Sequence, residues 1–198
     1  MIEAADLLLA SGSPRRKELL EQIGVRYITC PMDIDETHQA QETADEYVMR
    51  LSLEKAQAGL KLNGKLPVLG ADTSVVINGK ILGKPESEDH AVAMLMALSG
   101  GTHTVMTGVA LIRNYNGECQ IQNMVVETKV TFLPITDTQI RQYVATQEPM
   151  DKAGGYGIQG KAAIFVEKIE GSYSNVVGLP LEQVGIMLQR FNIPIWQA

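Results

Sequence analysis

Arg15, Arg16 and Lys17 follow directly on Ser11-Gly12-Ser13-Pro14, and they stand where a helix should begin. The apolar run Leu7 to Ala10 reads as a strand, and Leu19, Leu20 and Ile23 recur at helical spacing, so the stretch is strand, tight turn and helix. Ser13 suits the N-cap, and Pro14 suits the first helical position, where a missing N–H costs nothing. Cations in a first turn oppose the helix dipole by roughly 0.3–1 kcal/mol each. An anion would remove that conflict, because free N–H groups at a helix N-terminus and arginine forks both donate to phosphate oxygens. The stretch therefore reads as a phosphate site, the alternative being three cations that simply point into solvent.

A carboxylate able to take a proton is expected at Asp72. Pro67 to Thr73 reads as an apolar strand ending on a carboxylate and a hydroxyl, and open α/β sheets place ligands at the carboxyl ends of their strands. The competing role for Asp72 is an Asx turn opening the next loop. Asp33, Asp35 and Glu36 lie in an acidic loop that could ligate Mg²⁺ through one or two carboxylates or could be merely solvated. Lys55 falls on the inward face of a helix, where a lysine is either a ligand contact or a snorkelling surface residue. Lys84, held extended by Pro85, suits a phosphate contact or a solvated loop.

The second informative stretch runs from Met150 to Gly160. Gly155, Gly157 and Gly160 satisfy G-x-G-x-x-G, but a dinucleotide fingerprint must follow a strand and open a helix. This one follows Asp151-Lys152 and leads toward Ala162 to Ile169, which reads as a strand, so the dinucleotide reading is rejected. What remains is a glycine-dense loop whose backbone can approach a ligand closely, with Asp151, Lys152 and Gln159 as its polar groups. His38, His90 and His103 have no partners at ligand spacing and read as surface or turn residues. No G-x-S-x-G elbow and no Walker A motif is present.

The elements that must position these residues are legible at coarse grain. A second strand is expected over Val25 to Thr29, and Thr43 with Glu46 forms a capping box for a helix reaching about Leu60. Asn78-Gly79 signals a hairpin from Ser74 to Leu82. Ser87 caps a helix whose apolar face is Ala91, Met94, Leu95 and Leu98, which Gly100-Gly101 stops. Two β-rich runs from Thr102 to Leu133 flank Tyr115-Asn116-Gly117-Glu118 as a long hairpin, Thr136 with Gln139 caps a short helix, and a final helix follows Pro180. The expected architecture is α/β, a mixed parallel and antiparallel sheet flanked by helices, in a single domain over residues 1–198.

Composition narrows the class. With 45% hydrophobic and 20% charged residues the chain is globular, and a net charge of −6 argues for a small anion over a nucleic-acid polymer. No apolar run approaches the ~18 residues of a membrane span, and the N-terminus lacks a signal pattern, so a cytoplasmic protein is expected. Cys30 and Cys119 have no metal-like spacing and read as buried thiols.

SGSPRR after the first strand, LGADT on an inner one, GKP after the hairpin and DKAGGYGIQG near residue 155 together resemble the Maf family of nucleoside triphosphate pyrophosphatases, over nearly the whole chain. The resemblance implies an inosine-triphosphatase-like (Maf/HAM1-like) fold, a homodimer, and hydrolysis of a nucleoside triphosphate to monophosphate and pyrophosphate with a divalent cation, Mg²⁺ or Mn²⁺. By position it implies that Ser11, Arg15, Arg16, Lys55 and Lys84 hold phosphates, that Glu36 and Asp72 serve the metal, and that Asp72 accepts the proton of the attacking water. Arg15, Thr73 and Gln159 would set specificity, and Thr73 and Gln159 place the chain in the dTTP/UTP branch, since the branch acting on 7-methyl-GTP carries other residues at those two positions, a glutamate among them. Gly155 stands where an alanine is common. The alternatives are a 7-methyl-GTP pyrophosphatase and a non-catalytic nucleotide-binding regulator of septum formation, which would need the cationic clamp but not Asp72.

Overall fold

A computed structural model describes residues 5–197. Its elements in chain order are β1 (Leu7–Leu9), α1 (Pro14–Gln22), β2 (Tyr27–Thr29), α2 (Ala44–Leu62), β3 (Val68–Ile77), β4 (Lys80–Leu82), α3 (Glu88–Leu98), β5 (Thr102–Tyr115), β6 (Glu118–Phe132), α4 (Asp137–Val144), β7 (Val166–Glu170), α5 (Tyr173–Val177) and α6 (Leu181–Arg190). Hydrogen-bonded neighbours run β2-β1-β3-β5-β6-β7, with β4 on β3. The β1–β2 and β1–β3 pairs are parallel, whereas β3–β4 and β6–β7 are antiparallel. The sheet is thus mixed, as expected. Contacts group the described residues into two compact units: the first holds residues 5–72, Thr107–Val126 and residues 178–197, and the second holds Thr73–Met106 and Glu127–Val177.

In the first unit α2 lies on the sheet over small residues. Leu8, Ala10, Ala56, Val68, Ala110 and Ile112 form one buried cluster. A side chain at Gly70 would overlap the Ser52 carbonyl and stand 2.7 Å from Ala56 N, and one at Gly108 would overlap the Val48 carbonyl and stand 2.9 Å from Met49 N. Both strands therefore touch the helix backbone itself, which only glycine allows. Strand alternation puts Val68, Gly70 and Asp72 on one face of β3. A Cβ at Gly59 would stand 2.7 Å from Val68 Cγ1, so this face runs along α2 from Gly59 toward Lys55.

The capping box at Thr43 and Glu46 forms, with Thr43 N donating to Glu46 Oε2 at 2.9 Å, and its counterpart forms at Thr136 and Gln139. Asn78 and Gly79 have φ of 50° and 74°, and Asn116 and Gly117 have 52° and 85°, which are the paired positive angles of type I′ turns. β3 departs from expectation. It does not end at Asp72 and Thr73 but continues through the β-branched run Val75-Val76-Ile77 into pairing with β4, so Asp72 sits inside a strand and the Asx-turn reading fails. The stretch from Ala162 also differs: Lys161–Phe165 is 3₁₀-helical and β7 starts only at Val166, since Lys-Ala-Ala carries little strand preference. Cys30 is partly exposed and Cys119 exposed, Cys119 lying next to a hairpin tip.

The second unit buries a residue expected at the surface. His103 is 2% exposed, its ring edge-on to Phe132 at 4.9 Å and to Tyr156 at 5.4 Å, and its Nε2 lies 2.7 Å from the Tyr156 hydroxyl. Alternation along β5 places His103 with Val105 on the inward face, a signal carried by strand period and not by ligand spacing. Burial pushes the imidazole down to about 4, and Nδ1 has no hydrogen-bond partner to satisfy a second N–H.

Two outcomes are expected. Gly70→Ala should destabilise by on the order of 1–3 kcal/mol, the range for overpacking, visible as a lower Tm at roughly 2–4 °C per kcal/mol for a chain of this size; an unchanged Tm would show that α2 is free to retreat. For His103 the folded state binds its proton only near pH 4 while the unfolded chain binds it near the ordinary value of 6.5. Its contribution is thus complete above pH 6.5 and falls by about 3 kcal/mol toward pH 4. Denaturant unfolding at pH 7 and pH 4.5 should show a larger loss for the native protein than for His103→Gln, and equal losses would contradict the assignment.

Candidate active site

The face of β3 that Gly70 presses against α2 carries Asp72 two residues further on, and α2 offers Lys55 to it. Lys55 Nζ donates to Asp72 Oδ1 at 2.7 Å and also lies 2.7 Å from Glu36 Oε1. The Lys55 and Asp72 side chains are 11% and 13% exposed and that of Glu36 is 55% exposed. Lys55 is therefore not a snorkelling surface residue. Its aliphatic stem is buried and its ammonium sits where two carboxylates from distant parts of the chain converge.

Glu36 comes from a segment without regular structure, and α2 also holds that segment. Tyr47 Oη donates to the Glu36 carbonyl at 2.9 Å, and Arg50 Nη2 to the Thr37 carbonyl at 3.1 Å. Arg50 further grips Glu42 with both Nε and Nη2, a bidentate arrangement that holds the Glu42 carboxyl down at about 2. Asp35 accepts from the Thr37 amide, which closes a local turn. α2 thus supplies the lysine and anchors the loop that supplies one of its partners.

At the carboxyl end of β1, Ser11 is 7% exposed. Its Oγ accepts from Ser13 N at 3.2 Å and from Arg16 Nη1 at 3.1 Å. Pro14 opens α1 with Ser13 at the N-cap position, but the Ser13 side chain makes no capping bond. Arg16 Nε donates to the Gly178 carbonyl at 2.9 Å. Burial lowers the Arg16 pKa, and the Asp72 carboxylate opposes that shift, with Arg15 adding to it and Glu36 opposing it. Arg16 thus feels Arg15 and both carboxylates of the lysine cluster. Ser11, Arg15, Arg16, Glu36, Lys55 and Asp72 all belong to the first unit.

Thr73, Lys84 and Gln159 belong to the second unit. Thr73 is half-buried in β3, and Lys84 and Gln159 are exposed. The glycine-dense loop is held by its own side chains. Gly154 and Gly155 have φ of 69° and 72°, and Gly154 N donates to the Gly83 carbonyl at 3.0 Å. Gly157 and Gly160 differ in what surrounds them: a Cβ at Gly157 would stand 2.7 Å from Lys152 Cε, and one at Gly160 would stand 2.6 Å from Glu148 Cδ, so a side chain at either would displace the end of that neighbour. Glu148, which the sequence did not single out, is the residue the loop closes around.

Among the described residues no three His, Cys, Asp or Glu side chains come together as a metal group. The donor set at the cluster is the Glu36 and Asp72 pair. Two carboxylates completed by substrate phosphates and water would make a set that Mg²⁺ accepts; in the structure both meet the Lys55 ammonium.

The description "Maf-like protein" fits a family model that matches residues 6–191. A curated dTTP/UTP pyrophosphatase of Escherichia coli strain K12 is 53% identical over 94% of this chain and 93% of its own. A curated nucleoside triphosphate pyrophosphatase of Shigella flexneri is 52% identical with the same coverage. Among solved structures the Ham1 protein of Staphylococcus aureus matches 93% of this chain and 98% of its own at 13% identity and a TM-score of 0.48. With the match running through both units and more than half of the aligned residues identical to those of a curated relative, the chain belongs to the family of Maf-like proteins.

Proposed function

We propose that this chain hydrolyses dTTP and UTP to the nucleoside monophosphate and pyrophosphate. The observation that carries the reading is the meeting of Asp72 and Glu36 on one cation, within the charge field of Arg16. The substrate class is supported by the identity to the dTTP/UTP pyrophosphatase of Escherichia coli. Phosphoryl transfer asks little covalent chemistry of the protein. It needs cations around the phosphate oxygens, a positioned water and an acceptor for its proton.

In this reading Ser11, Arg15, Arg16, Lys55 and Lys84 bind the triphosphate. Arg16, fixed by Ser11 and Gly178, is preorganised to donate to phosphate oxygens, and Lys55 would exchange a carboxylate for a phosphate. Asp72 orients the water and takes its proton as the bond from the α-phosphorus to the bridging oxygen breaks and pyrophosphate leaves. Glu36 and Asp72 would hold a divalent cation, Mg²⁺ or Mn²⁺, which when bound supplies charge neutralisation for the triphosphate. Gln159 and Thr73 read the base. A uracil or thymine edge presents an acceptor, the N3 donor and a second acceptor, and a carboxamide can both donate and accept from one side chain. Membership of the family supports a homodimer and a cytoplasmic location as further parts of the reading. No helix among the described residues is long and apolar enough to cross a membrane.

Asp72→Asn keeps the side-chain shape but cannot take a proton, so turnover should fall on the order of 10²–10⁴ in a protein that still folds, with Tm lowered by the loss of the Lys55 ion pair. Near-native turnover would place the base elsewhere, and tight nucleotide binding by a native protein that never turns over would favour a regulator. Gln159→Glu sets an acceptor against an acceptor. It should lower kcat/KM for dTTP and UTP at least tenfold, equivalent to about 1.4 kcal/mol, with purine triphosphates losing less. An equal loss across a nucleotide panel would remove Gln159 from base recognition.

A further inference from the structure

An exposed side chain reads a base well only if its backbone is fixed, and Gln159 is exposed. Its flanks are fixed by one group. Lys161 N donates to both Glu148 oxygens, at 2.9 and 3.1 Å. On the other side Gly157 N donates to Tyr143 Oη at 3.3 Å, and Tyr143 Oη donates to Glu148 Oε1 at 3.0 Å. Between them Gly160 N donates to the Gly157 carbonyl at 3.0 Å, so residues 157–161 form a tight turn whose two ends reach the same carboxylate.

The clamp is itself anchored. Tyr143 is 5% exposed, and its ring lies edge-on to Phe165 at 5.4 Å. Lys152 Nζ donates to the Glu148 carbonyl at 2.7 Å and to Asp151 Oδ1. The Glu148 carboxyl occupies the space of a Cβ at Gly160, so a side chain there would displace it. Ile158, next to Gln159, is buried at 8%. Gln159 is therefore the one exposed side chain between buried Ile158 and the Gly160-Lys161 corner.

We infer that Glu148, through Lys161 N and the Tyr143 hydroxyl, is a positioning residue for pyrimidine selectivity, fixing the turn that presents Gln159 to the base. This rests on Gln159 being the base reader. In this reading Glu148 acts through the turn and not on the base itself. Its carboxylate accepts three bonds that an amide can accept only in part, because an amide nitrogen would face the Lys161 N–H donor to donor. Loosening the turn lets the Gln159 carboxamide adopt many orientations, and the preference for a uracil or thymine edge fades before the phosphate chemistry does.

The test is the ratio of kcat/KM for UTP to that for GTP, measured on the native protein, Gln159→Ala, Glu148→Gln, Tyr143→Phe and the double variant Gln159→Ala/Glu148→Gln, with Tm recorded for each. The expected result is a ratio reduced at least fivefold in Gln159→Ala and Glu148→Gln and reduced less in Tyr143→Phe, which keeps the ring packing if Glu148→Gln folds poorly. The double variant should be no worse in ratio than Gln159→Ala alone, since both changes act through one side chain. If Gln159→Ala lowers the ratio and both Glu148→Gln and Tyr143→Phe leave it alone, the clamp is structural only and the inference is overturned while base reading by Gln159 stands. If Gln159→Ala leaves the ratio unchanged, base reading by Gln159 is overturned, and the inference falls with it.

Discussion

The first unit depends on how closely α2 approaches β3 and β5. At Gly70 and Gly108 the strands meet the helix backbone rather than its side chains, and that proximity lets a lysine on α2 reach a carboxylate in the middle of β3. An ammonium and a carboxylate at 2.7 Å, each little exposed, interact far more strongly than a surface pair but only if the geometry holds, because desolvation works against both. The glycines hold it. Glu36 joins from a segment that could not be placed by its own propensities, and it is placed because α2 extends Tyr47 and Arg50 to its backbone.

Local chemistry made much of this readable beforehand. The strand–turn–helix around Ser11, the capping boxes at Thr43 and Thr136 and the turns at Asn78 and Asn116 are each set by residues within a few positions of one another, and each formed. The same holds for SGSPRR and DKAGGYGIQG, whose residue types announce anion binding and close backbone packing. Where one residue's fate depends on a partner far along the chain, the sequence was silent or misleading. Lys55 looked like a snorkelling helix residue because its two partners lie 17 and 19 positions away, on other elements. His103 looked like a surface residue because Phe132 and Tyr156 come from later in the chain. Glu148 carried no motif, and its role is visible only once Gly160 is seen to make room for it.

The two units solve a similar problem differently. The segment carrying Glu36 is pinned by cationic and phenolic side chains donating to its carbonyls, whereas the turn carrying Gln159 is pinned by a carboxylate collecting its amides. Loops satisfied in this way lose less entropy on binding than free ones. In the proposed function such loops would present polar groups to a small, highly charged substrate without a rigid strand or helix beneath each one.

The most direct test of the account is hydrolysis of UTP by the native protein in ¹⁸O-labelled water with a divalent cation, with pyrophosphate, orthophosphate and nucleoside monophosphate resolved by mass. Water activated by Asp72 for attack at the α-phosphorus should place the label in UMP, release unlabelled pyrophosphate as the first product, and leave orthophosphate absent at early times. Label in orthophosphate released together with UDP would contradict it, because the bond broken would then lie between the β and γ phosphates and the assignment of Asp72 to the α-phosphorus would be wrong.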